Sequence, residues 1–167
     1  MQFKEFLESI GACEPALEWV GDRDAETAWA ECDQADWLMW LAYDAGESTH
    51  KPLVRIALEC ARLTPITHPL LLDSLNDVER WLVGESVDFY EITEKFYRLH
   101  SEEIRREAAK VLYTLRAADD RHSGGDLDAV DLALVRGVTQ ATLCEIARRH
   151  LPWSVIGPLI HAKMGVA

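Results

Sequence analysis

In KPLVRIALECARLTP, residues 51–65, the apolar side chains Leu53, Ile56, Ala57, Cys60, Ala61 and Leu63 recur at the 3.6-residue period of an α-helix. Pro52 opens that helix and the pair Thr64-Pro65 stops it. The same period extends in both directions. Upstream, Phe3, Phe6, Leu7 and Ile10 form one helical stripe closed by Gly11, and Pro15 starts a turn carrying Ala16, Leu17, Trp19 and Val20 up to Gly21-Asp22. Asp24 or Asp22 caps a third helix through Ala25, Ala28, Trp29 and Cys32. The run WLMWLAY, residues 37–43, is apolar on nearly every side, which in so short a helix means burial among other helices. Asp36 directly precedes this run and is expected to cap it. A loop over residues 46–50 separates it from the helix opened by Pro52.

Downstream, Pro69 starts a helix with Leu72, Leu75, Val78, Trp81 and Leu82 inside and Gly84 at its end. From Asp88 to about Asp119 the apolar positions keep helical spacing with one slip near His100-Ser101. This predicts either one helix of roughly 45 Å or two joined at the slip. Ser123-Gly124-Gly125 is the clearest loop, and Asp126 or Asp128 caps a long helix through Leu132, Val135, Val138, Leu143 and Ile146, ended by Pro152. A short helix from Trp153 and a frayed Gly165-Val166-Ala167 complete the chain. No stretch sustains the period-2 alternation of a strand. The reading is all-α, an irregular multi-helix bundle with one or two long helices in the C-terminal half. It is a single domain over 1–167, with an acidic, Trp-rich part at about 1–50 and longer helices at about 86–151.

Charge narrows function more than composition does. The 167 residues carry 17 Lys and Arg against 29 Asp and Glu, a formal charge of -12, which repels phosphate backbones and argues against direct nucleic-acid binding. The acidity is uneven: residues 1–50 hold twelve acids against Lys4 and Arg23, a net -10, and the remainder carries only -2. Such a segment is either a solvated face or a surface shaped for a basic partner. No run approaches the roughly 20 apolar residues that span a bilayer, and the opening MQFKEFLESI is charged where a signal peptide is apolar. The expectation is a cytoplasmic protein with no membrane partner.

The chemistry-bearing residues form no recognisable active site. Cys13, Cys32, Cys60 and Cys144 are widely spaced among apolar or small neighbours, as free thiols in a core would be. Histidines 50, 68, 100, 122, 150 and 161 make no metal-ligand pair. The acids of residues 119–131 are out of phase with a calcium-binding loop, and Gly124-Gly125 lacks the residues of a phosphate-binding loop. Cys144 and His150 stand roughly 240° apart on a helix and cannot form a dyad. A non-enzymatic role with no metal and no cofactor follows. Trp19, Trp29, Trp37 and Trp40 lie within about twenty residues, a pocket or interface cluster in principle, although the apolar residues around them predict burial of at least three.

The segments CEPALEWV (13–20), AETAWAEC (25–32) and ADWLMWLA (35–42), followed by LECAR (58–62) and VERWLVGE (78–85), resemble the bacterial and phage family of Imm-5-like immunity proteins over roughly residues 12–85. The resemblance implies a helical domain that neutralises a toxin by binding it, with no catalytic residues to carry over. An acidic inhibitor suits a basic target such as a nuclease toxin, since complementary charge speeds encounter. The expected contacts are Glu14, Glu18, Asp22, Asp24, Glu26, Glu31 and Asp33. Three alternatives stand beside this one: a phage or mobile-element anti-defence protein whose acids imitate DNA phosphates and occupy a host defence complex, a small hydrolase with an unrecognised carboxylate site, and a structural partner acting as a homodimer.

Overall fold

The computed structural model describes residues 1–63, 65–96, 102–120 and 125–165, and within its helices all side chains but those of 102–106 and 126–127. Every regular element among these residues is helical, so the all-α class expected from the periodicity is what the chain adopts. The helices gather into two compact units, one built from both ends of the chain, residues 1–49 and 140–167, and one from residues 50–139.

The first unit holds α1 (Phe3–Ser9), α2 (Glu14–Val20), α3 (Ala25–Glu31), α4 (Ala35–Asp44), a single 3-10 turn (Glu47–Thr49), α10 (Gln140–His150) and α11 (Trp153–Met164). Its boundaries follow local chemistry. Pro15 occupies the first turn of α2, where a missing N–H costs nothing. Asp24, rather than Asp22, caps α3 by accepting the Thr27 N–H at 2.8 Å, and that bond holds its carboxyl below the usual carboxylate range. Against the capping expectation for Asp36, the N-cap of α4 is Gln34 and Asp36 lies inside the first turn with no cap bond. The open N–H of Ala35 goes instead to the side-chain oxygen of Gln140, 2.8 Å away on α10. Packing of α10 on α4 and of α11 on α3 buries Leu38, Met39, Leu143, Ile146, Ile156 and Ile160. At the other end of α4, Asp44 meets Lys163 of α11 at 3.1 Å. Within α11 the ring of Trp153 lies over Gly157, where a Cβ would come within 2.6 Å of it.

The second unit holds α5 (His50–Arg62), α6 (Pro69–Leu82), α7 (Phe89–Phe96), α8 (Glu102–Asp119) and α9 (Gly125–Val135). Helix α5 starts two residues before Pro52, and Leu63 lies beyond its end and is exposed. The remaining stripe, with Val54 and Leu58 added, packs against Leu71, Leu75 and Val78 of α6 and Val111 and Leu115 of α8. Leu72, expected inside, is 43% exposed, because the buried row of α6 runs through Leu71, Leu75, Val78 and Leu82. The continuous pattern from Asp88 to Asp119 is two helices, α7 and α8, and the slip at residues 100–101 lies outside the described residues.

The long helix expected from Asp126 or Asp128 to Pro152 is also two. Helix α9 ends at Val135, which is 84% exposed, and Gly137 takes φ +88°. There the Gly137 N–H bonds Leu134 O at 2.9 Å and the Val138 N–H bonds Ala133 O at 3.1 Å. This pair satisfies the last carbonyls of α9 and turns the chain, a conformation glycine adopts without steric penalty. The N-terminal end of α9 differs from expectation as well: Gly125 is its first residue, not loop, while Ser123 and Gly124 lie outside the described residues.

Candidate functional site

The acidic segment occupies α2, α3 and the turns beside them. Glu14, Glu18, Asp22, Asp24, Glu26, Glu31 and Asp33 are all exposed. Their surroundings divide them. Asp24 is held by its cap bond, Glu31 pairs with Arg23 at 3.0 Å, and Asp33 accepts the Gln34 side-chain amide at 2.9 Å. Glu14 and Glu18, one turn apart on one face of α2, and Asp22 and Glu26 make no hydrogen bond or ion pair with the described residues. Arg23 is one of only two basic residues in the first fifty, and it is engaged internally. Besides Glu31, it donates to Trp19 O at 2.5 Å and lays its guanidinium over the Trp19 ring, 4.7 Å from the centroid. This segment therefore presents carboxylates to solvent while Arg23, the one Lys or Arg within residues 14–33, is turned back on the protein.

Sequence reasoning missed Arg148. From α10 it donates Nε to Trp29 O at 2.9 Å and a second guanidinium nitrogen to Cys32 O, so that a planar cation closes the C-terminal end of α3. Helix C-termini carry partial negative charge and unpaired carbonyls, and a forked guanidinium meets both. The arginine was legible as a last-turn basic residue of its own helix, but its reach onto α3 spans more than a hundred residues and has no local signal.

Asp36 sits near the same place. One of its carboxylate oxygens is buried without a hydrogen-bond partner. Asp36→Ala is accordingly expected to change stability by about 0.5 kcal/mol, the scale of a first-turn acid with the helix dipole, not the roughly 1 kcal/mol of a lost cap. Gln140→Ala should cost the larger amount. Urea denaturation of both variants distinguishes the two, and a greater loss at Asp36 than at Gln140 would restore the capping role to the aspartate.

The tryptophans are arranged differently from expectation. Of the four, only Trp29 is buried; Trp19, Trp37 and Trp40 are half-buried and line one cavity of about 200 Å³ with it. The rings of Trp19 and Trp37 meet edge to face at 6.1 Å. Four short helices cannot fully cover rings of this size, so the cluster forms a wall instead of a filled core.

Cys32, Cys60 and Cys144 are buried, and burial pushes Cys60 up to about 12, Cys144 up to about 11 and Cys32 upward, which keeps them as thiols. Cys13 is exposed, contrary to the core placement expected for all four. Among the described residues no three His, Cys, Asp or Glu side chains converge as metal ligands, and no helix is long and apolar enough to cross a membrane. His100, His122 and much of the glycine loop near residue 124 lie outside those residues. A scan of family models and searches of curated proteins and of solved structures return no match to this chain.

Proposed function

We propose that this protein is a non-catalytic inhibitor of the immunity type, which binds a basic protein, a toxin or nuclease, through the acidic surface of residues 14–33. One observation carries the reading: Glu14, Glu18, Asp22 and Glu26 are exposed and unpaired with the described residues, in a segment whose own cation, Arg23, is already engaged. Carboxylates with no ion-pair or hydrogen-bond partner within a fold are free to meet a partner, and like charges held close on a scaffold raise the local field that attracts it. Asp24, Glu31 and Asp33 flank these four, with Asp24 also holding α3. The resemblance read from the sequence of residues 12–85 to Imm-5-like immunity proteins motivates the same role.

The test is affinity capture of tagged full-length protein from nuclease-treated lysate of the native host, followed by mass spectrometry. Recovery of one basic protein at near-equal ratio is expected, and that protein's identity decides between toxin immunity and blockade of a host defence complex. Recovery of nothing specific by a folded bait would remove the inhibitor reading.

A further inference from the structure

Carboxylates alone do not account for the apolar groove beside them in the first unit. Phe3, Leu7, Ala16, Trp19, Trp37 and Trp40 are among its walls, and no charged side chain lines it. The three tryptophans are half-buried, so the groove opens to solvent along their rings. Aromatic side chains around a recess are what a partner's anchoring residue fills at the centre of a protein interface. Acids stand directly beside this recess. Arg23 pairs with Glu31 at 3.0 Å and lays its guanidinium 4.7 Å from the Trp19 ring centroid, so one cation joins an acid to the groove wall. Glu14 and Asp33 each follow a lining residue, Cys13 and Cys32, by a single peptide unit. An apolar centre with a polar rim is the anatomy of a protein interface, and a rim of carboxylates complements a basic partner. The volume sets the scale of the anchor. An apolar cavity of roughly 150 Å³ accommodates benzene, so about 200 Å³ gives room for one phenylalanine or leucine side chain while the rest of the partner stays outside.

We propose that this groove seats an apolar anchor side chain, phenylalanine or leucine, of a basic protein partner whose flanking arginines or lysines meet Glu14, Glu31 and Asp33. The inference rests on the acidic-surface reading and adds the anchor to it. The probe is the hexapeptide Arg-Arg-Phe-Leu-Arg-Arg with blocked ends. Replacing its Phe-Leu by Ala-Ala removes the anchor, and replacing every Arg by Glu reverses the charge. Titrations into the full chain, followed by tryptophan fluorescence and ligand-observed NMR, are expected to show one site per chain for the first peptide, with Kd below about 1 mM at low salt. The alanine peptide should bind about tenfold or more weakly, the effect of leaving an apolar side chain unburied, and the glutamate peptide more weakly still. Ala16→Leu fills the groove and should bring the phenylalanine peptide down to the affinity of the alanine peptide; Ala12→Leu replaces it if that variant does not fold by circular dichroism. Equal affinity of the phenylalanine and alanine peptides, with both weakened in a Glu14→Lys, Asp33→Lys variant, would overturn the anchor and leave the acidic surface standing. Equal affinity of the phenylalanine and glutamate peptides would overturn the basic occupant. No saturable binding of the phenylalanine peptide, or binding unchanged by Ala16→Leu, would overturn the proposal. So would light scattering that shows a dimer which Ala16→Leu dissociates, because a second copy would then be the occupant.

Discussion

Replacing Gly125 by alanine is expected to destabilise the protein by about 3 kcal/mol, at the upper end of what overpacking costs. Helix propensity, which ranks alanine above glycine, favours the opposite sign, though weakly at the first position of α9. The close approach of α9 to α8 decides it. A Cβ on Gly125 would sit 2.5 Å from Tyr113 O and 2.7 Å from Ala117 N, and both obstacles are backbone atoms of a buried helix that cannot rotate away. Gly84 is the control. It is exposed, has φ +98° and would have nothing within 4 Å of an added methyl, so Gly84→Ala should cost only the left-handed strain of roughly 1–2 kcal/mol. Thermal and urea midpoints of the two variants measure the difference, and a Gly125→Ala midpoint equal to or above that of the unaltered protein would mean that the two helices do not approach this closely.

Arg148→Met should cost about 2–3 kcal/mol, the range for hydrogen bonds from a charged donor. Methionine keeps most of the apolar stem while removing both bonds to α3, so the loss reports the guanidinium and not the packing. Arg148→Lys should recover less than half, because an ammonium is a point charge and cannot span two carbonyls in one plane. Equal stability of the Met and Lys variants with the unaltered protein would show that water serves the C-terminal carbonyls of α3 as well as Arg148 does. Because α3 carries Glu26 and Glu31 and is capped by Asp24, the same variant also tests whether the acidic surface depends on this clamp for its shape.

Much of the helical layout was legible because its signals are local. Pro15 and Pro69 open helices, Asp24 caps one, and Gly11 and Gly84 follow the ends of two others with positive φ, all of which depend on a few neighbouring atoms. The errors share a different cause. Val135 and Val138 keep helical spacing across Arg136-Gly137, and only the turn at Gly137 reveals that the pattern belongs to two elements. Leu71 and Leu72 are adjacent and equally apolar, and the choice between them is made by what α6 packs against. Asp36 had the right residue type for a cap two positions too late, and the actual donor–acceptor pair joins Ala35 to Gln140, far away in sequence. At the candidate site, exposure of the seven acids follows from their charge, whereas the division into engaged and unengaged carboxylates depends on where Arg23 and Thr27 fall in space. The partial exposure of three tryptophans was illegible for a related reason: apolar neighbours predict burial, but short helices of seven to ten residues offer too little surface to cover four indoles.

The most direct test of the acidic surface is the association rate constant for the captured basic partner, measured by stopped flow at low and high ionic strength. Unaltered protein should be compared with the Glu14→Lys, Glu18→Lys, Glu26→Lys triple variant. The account predicts that the unaltered protein associates about tenfold or more faster at low salt and that the variant loses both that advantage and most of its salt dependence. Equal rates for the two proteins at both ionic strengths would contradict it.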